Sequence, residues 1–246
     1  MSNPARDVFR FYGRRKGKIL RRGRQELVEK HLPRLRITIP SSGQLNVESL
    51  FSWRPEAVWL EIGFGAGEHL IAQAELNPRI AFIAAEVFLN GIASVIKNVV
   101  DKKLSNIRIL DNDVRLLLPF LPNSSINKVF LLFPDPWPKS RHAKRRFINP
   151  VNLNELGRIM SSGSELRFAT DNLVNLRWCL RHIPSHPAFI WPVNSAQDWR
   201  ERPLDSFPTR YEKKAIELGR APVYLTFRRC THDVNPGLSD DEFIII

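Results

Sequence analysis

Six acids fall where an alternating α/β chain would end its strands: Glu61, Glu86, Asp111, Asp113, Asp135 and Asp171. In an open parallel sheet, ligands bind just beyond the carboxyl ends of the strands, so these positions converge on one rim. Carboxylates crowded there repel one another unless something cationic or rich in hydrogen-bond donors sits between them. The expected ligand is therefore positively charged or bristling with hydroxyls.

The first of these acids runs into Gly63-Phe64-Gly65-Ala66-Gly67, where glycines let the backbone turn sharply and approach a ligand. This GxGxG spacing is not the GxGxxG of a dinucleotide site, which directs a pyrophosphate at a helix N-terminus. Glu86 follows Gly63 by 23 residues, where a carboxylate can accept both ribose hydroxyls of an adenosine, and Asp113 can contact the adenine edge. Adenosine without pyrophosphate, joined to a sulfonium and an ammonium, suits such a rim, and S-adenosylmethionine carries those groups.

The elements that must hold these residues follow from periodicity. Strands are predicted at Val58 to Ile62, Ile80 to Ala85, Ile107 to Leu110, Lys128 to Phe133 and Glu165 to Ala169. Helices are predicted at Glu68 to Asn77, Phe88 to Lys103, Val114 to Phe120, Val151 to Met160 and Leu173 to His182. Two further strands, Ala188 to Val193 and Val223 to Arg228, bring the total to seven. Alternation of this kind builds a Rossmann-like α/β fold, a mostly parallel seven-stranded sheet with helices on both faces. Pro33, Pro40 and the Ser41-Ser42-Gly43 turn interrupt the pattern upstream, so the folded core is expected to begin near Pro55. This gives a basic N-terminal extension over 1–50, a catalytic domain over 51–232 and a tail over 233–246.

Charge identifies the class of partner. The 246 residues carry a formal net charge of +12. Ten cations in the first thirty residues, from Arg6 to Lys30, face only Asp7, Glu26 and Glu29. A second run, Lys139-Ser140-Arg141-His142-Ala143-Lys144-Arg145-Arg146, follows Asp135 directly. Such surfaces concentrate polyanions, with nucleic acid foremost. No apolar stretch suits a secretory signal or a bilayer span, which points to the cytoplasm, and Cys179 and Cys230 lack metal-ligand spacing.

Several motifs together resemble the bacterial tRNA guanine-N7 methyltransferase family, a class I S-adenosylmethionine-dependent group. They are Leu60-Glu61-Ile62-Gly63-Phe64-Gly65-x-Gly67, Ala85-Glu86-Val87, Asn112-Asp113, Phe133-Pro134-Asp135-Pro136-Trp137-Pro138-Lys139, Arg141-His142-x-Lys144-Arg145-Arg146, Ala169-Thr170-Asp171 and Thr209-Arg210-Tyr211-Glu212. The resemblance spans residues 58 to 228 in the family's order. It implies methyl transfer to N7 of guanine 46 in the tRNA variable loop, with neither metal nor membrane, by a monomer or homodimer. Glu61, Glu86, Asp113 and Asp135, with the loop glycines, would then hold cofactor, and Asp135 would also take the active-site role. Lys139, Asp171, Thr209, Arg210, Tyr211 and Glu212 would contact substrate, and Arg141, His142, Lys144, Arg145 and Arg146 would touch RNA. Asp171 or Glu212 would read the guanine edge, and Trp137 or Tyr211 would stack on it.

Two other methyltransferase chemistries fit less well. Asp135-Pro136-Trp137 only partly echoes the [DN]PP[YFW] turn of amino-group enzymes acting on adenine, because the second proline is missing. A cytosine C5 enzyme needs a Pro-Cys nucleophile, and neither cysteine follows a proline. A non-catalytic RNA-binding module on the same fold would have no use for the set of rim carboxylates.

Overall fold

The computed structural model describes Gly13 and residues 15–230. In chain order the elements are α1 (Arg22–Leu35), β1 (Ala57–Ile62), α2 (Glu68–Leu76), β2 (Ile80–Ala85), α3 (Leu89–Asp101), β3 (Ile107–Leu110), β4 (Ile126–Leu132), α4 (Pro150–Ile159), β5 (Met160–Thr170), α5 (Leu173–His182), β6 (Phe189–Ile190), α6 (Gln197–Arg200), α7 (Arg210–Glu217) and β7 (Val223–Arg229). The sheet order is β3-β2-β1-β4-β5-β7-β6. The first five strands run parallel, and β7 pairs antiparallel with both β5 and β6. Strand order reverses between β1 and β4, the switch point at which such sheets open a crevice.

Side chains of one strand alternate between the two faces. Ala81, Ile83 and Ala85 of β2 join Leu60, Val129, Leu166 and the helix α4 residue Leu156 in one core. Phe82 and Ala84 of the same strand join Leu70, Ile92, Val95 and Ile96 of α2 and α3 in the other. Each fully buried Phe or Leu adds about 1.5–3 kcal/mol of transfer free energy, so both layers hold the sheet from opposite sides.

Three sequence expectations change. The predicted helix over residues 114–120 is instead a pair of 3-10 turns, Val114–Leu116 and Leu118–Phe120. Pro119 has no N–H to continue an α-helical ladder. Helix α1 passes through Pro33 and buries Leu32 and Leu35. The core begins well before Pro55: Ile37, Leu45, Val47 and Phe51 are buried, and the Ile37 N–H donates to the Ile109 carbonyl at 2.8 Å. Helix α7, which periodicity did not reveal, starts at Thr209, whose hydroxyl accepts from the Glu212 N–H at 3.1 Å. The cations Arg6, Arg10 and Arg14 and the tail over 233–246 lie outside the described residues.

Candidate active site

A cleft of about 380 Å³ opens at the carboxyl ends of β1, β2, β3 and β4, and its lining includes Gly63, Glu86, Asp113, Asp135, Trp137 and Tyr211. Its floor is the turn after β1. Gly63, Gly65 and Gly67 adopt φ of 74°, 57° and 83°, a region costly to any side chain with a Cβ. The Gly67 N–H closes the turn on the Phe64 carbonyl at 2.8 Å, and α2 starts from it.

Glu86 stitches this turn to the next. Its Oε2 accepts from the Gly65 N–H at 2.8 Å, and its Oε1 accepts from the N–H groups of Val87 and Phe88 at 2.7 and 2.9 Å. Burial nevertheless raises its pKa above the ordinary range, with the nearby Asp135 charge adding to the rise against those three N–H bonds. Burial likewise raises Asp135. The Tyr211 phenol is pushed up by burial and by the Glu86 and Asp135 charges, so it stays a donor at neutral pH. Asp113 caps the turn after β3, accepting from the Arg115 backbone N–H at 3.0 Å, and its side chain is forked by the Arg115 guanidinium.

Asp135 rides on a loop fixed at both ends. Phe133 and Trp137 hold φ of 50° and 41°, which is strained for side-chain-bearing residues and is found where surrounding contacts over-determine the backbone. Those contacts are visible. Asn175 donates to the Pro134 carbonyl at 3.2 Å, and Arg146 donates to the carbonyls of Pro136 and Trp137 at 3.2 and 2.9 Å. The Arg145 guanidinium lies 4.8 Å from the Trp137 ring centroid.

Because folded Glu86 and Asp135 titrate above the usual carboxylate values near 4, activity that needs them ionised should fall on acidification at a correspondingly higher pH. A kcat/KM profile measures this. An acid limb at the ordinary carboxylate value would contradict it.

Not every predicted acid reaches the cleft. Glu61 is buried beneath it, its Oε2 2.8 Å from Nδ1 of His69 on α2. Asp111 is forked by Arg36 and Asp171 is bound by Arg220 at 3.0 Å, so three carboxylates rather than the whole set line the cavity. Gly67 is buried against Val95, where an added Cβ would come within 2.2 Å. Glu212 is also buried, and its Oε1 already accepts from Arg202 and from the Tyr224 hydroxyl. Thr209 caps α7 and Arg210 pairs with Glu68 at 2.6 Å, leaving Tyr211 as the member of that motif in the cleft.

The basic run divides as well. Lys139, Arg141 and Lys144 are exposed and His142 is half-buried, whereas Arg146 is buried and spends its donors on the loop carbonyls. Arg146 therefore braces the Asp135 loop from behind. The positive charges on Arg145, Arg141 and Lys139 add to desolvation in lowering the His142 pKa.

Sequence reasoning missed Gly91, which backs onto the Gly65 carbonyl, and the arm at the cleft mouth. Gly13 lines the cavity, the Gly17 N–H donates to Asn90 Oδ1 at 2.8 Å, and Leu89 donates to the Arg15 carbonyl at 3.0 Å. The Asn90-Gly91 pair at a helix start was the available signal.

The donor set fits S-adenosylmethionine. Three carboxylates against apolar Ile62, Val87 and Val114 suit hydroxyls, a sulfonium and an adenine, and would repel a pyrophosphate. Glu86 and Asp113 would hold the adenosine.

Comparisons agree with this geometry. A family model described as "Putative methyltransferase" matches residues 55–225. The tRNA (guanine-N(7)-)-methyltransferase of Rhodospirillum rubrum is 46% identical, covering 95% of this chain and 92% of that protein. Its counterpart in Paramagnetospirillum magneticum is 48% identical, with 92% and 95% covered. A solved antibiotic-related methyltransferase shares the fold at a TM-score of 0.50 and 16% identity, over 70% of this chain and 87% of that one. The chain belongs to the S-adenosylmethionine-dependent tRNA (guanine-N7)-methyltransferase family.

Proposed function

We propose that the chain methylates N7 of guanine 46 in the variable loop of tRNA, working in the cytoplasm. The observation that carries this reading is the cleft itself: carboxylates and aromatics line it, with no Cys, His or Lys among the lining residues. Guanine N7 carries a lone pair and no hydrogen, so no base has to remove a proton before attack. S-adenosylmethionine, when bound, supplies an electrophilic methyl group on a sulfonium.

The protein's own task is then orientation, which accounts for up to about 7–11 kcal/mol of a barrier when reacting atoms are held in line. Trp137 and Tyr211 stack the unpaired base. Asp135, at the loop held by Arg146 and Asn175, stabilises the positive charge that passes to the base. Asp171 or Glu212 accepts from guanine N1–H and its amino group, exchanging an arginine partner, Arg220 for the one and Arg202 for the other, for the base. The exposed Lys139, Arg141 and Lys144 take flanking phosphates.

Purified protein is incubated with labelled S-adenosylmethionine and unmodified tRNA, then with tRNA carrying 7-deazaguanosine in the variable loop. Label enters the first and not the second. Label retained by the 7-deaza substrate would overturn the assignment.

A further inference from the structure

We propose that the groove between the 3-10 turns of Ser140–Arg145 and helix α5 is a second phosphate-binding site for the RNA backbone, built on Arg177 and Arg181. The proposal rests on the tRNA reading above and adds a surface that reading does not use.

The groove encloses about 330 Å³ and is lined by Ser140, Arg146, Val174, Arg177, Trp178 and Arg181 among others, with no Asp or Glu. Arg177 and Arg181 stand one helical turn apart and so share a face of α5, and both are exposed. Several arginines elsewhere are held by acids: Arg36 by Asp111, Arg115 by Asp113, Arg158 by Glu155, Arg167 by Asp205, Arg210 by Glu68 and Arg220 by Asp171. Among the described residues neither Arg177 nor Arg181 has an ion-pair partner. Two adjacent guanidinium forks facing an acid-free groove match phosphodiester oxygens, which they can engage bidentately.

The floor is rigid and shared with the active site. The Trp178 indole donates to the Ile148 carbonyl at 2.6 Å and stacks on His182 at 4.0 Å. Arg146 lies 4.4 Å over the Trp178 ring while donating to the carbonyls of the loop that presents Asp135. A phosphate held on this floor registers the RNA against that loop through one side chain. The exposed Lys139, Arg141 and Lys144 continue the same positive surface from the adjoining turn.

Filter binding of unmodified tRNA to the full chain across a salt series tests the site. In Arg177→Gln/Arg181→Gln the log-log salt slope should shrink by roughly 1.4–1.8, the loss of two phosphate contacts, with affinity down tenfold or more at moderate salt. Arg177→Lys/Arg181→Lys should keep most of the slope. A slope unchanged in the glutamine variant, or lost equally in the lysine variant, would overturn the proposal. Methylation by the wild type is scored separately: its absence would refute the activity, while the binding slopes still decide the groove.

Discussion

Asp135→Asn loses methyl transfer by about two to three orders of magnitude and at the same time melts at a higher temperature than the wild type in the ligand-free state. On the role proposed for Asp135, the first effect follows from removing a preorganised negative charge from the place where positive charge develops, a change of that size in comparable electrostatic sites. The second follows from linkage. Asp135 keeps an exposed edge, yet partial desolvation of its carboxyl at the cleft wall raises its pKa in the folded chain, so the folded state binds the proton more tightly than the unfolded one. Stability attributable to this group is full below the unfolded pKa and is lost as pH rises through the folded value. At neutral pH the ionised form is a burden that asparagine removes. Activity and stability thus move in opposite directions, as at other sites that hold strained or desolvated charge. Single-turnover transfer to tRNA and thermal melts of the apo protein measure the pair. Unchanged turnover would remove Asp135 from the chemistry, and a lower melting temperature would contradict the burial argument.

Gly91→Ala should lower the chain's cofactor affinity without removing any polar group of the cleft. A Cβ at Gly91 would stand 2.0 Å from the Gly65 carbonyl oxygen and 2.9 Å from its carbon, both backbone atoms that cannot rotate aside. Either α3 retreats or the glycine turn deforms. Deformation pulls the Gly65 N–H from Glu86 Oε2, undoing the contact that joins the loops after β1 and β2. Overpacking of this kind costs about 1–3 kcal/mol. Drawn from the site, that is roughly a five- to 150-fold loss in S-adenosylmethionine affinity. Titration calorimetry with the cofactor, beside a melt, reads how the strain divides between loop and helix. Wild-type values in both would mean that the turn and α3 are not in the contact described.

The two predictions depend on different kinds of information. Asp135 stands out in the sequence because an acid after an apolar strand, followed by Pro136-Trp137-Pro138, has few other reasons to be there. Gly91 does not stand out, because its meaning is a contact with a residue 26 positions earlier. The same division runs through the motif at 209–212. Its four residues look alike as candidates, yet the fold assigns Thr209 to a helix cap, Arg210 to Glu68, Glu212 to Arg202 and Tyr224, and Tyr211 alone to the cleft.

By itself the sequence determined the alternating α/β plan, the positions of the parallel strands, the glycine turn and the acids at the strand ends, because those follow from side-chain periodicity and local backbone preference. Tertiary structure alone decided which acids face the cavity, that Leu32, Leu35, Ile37, Leu45, Val47 and Phe51 belong to the core, and that Arg146 of the basic run braces a loop while Lys139, Arg141 and Lys144 stay exposed. A carboxylate's role depends on which cation or N–H group folding brings within about 3 Å of it, and partners such as Arg36 of Asp111 and Arg220 of Asp171 are far away along the chain.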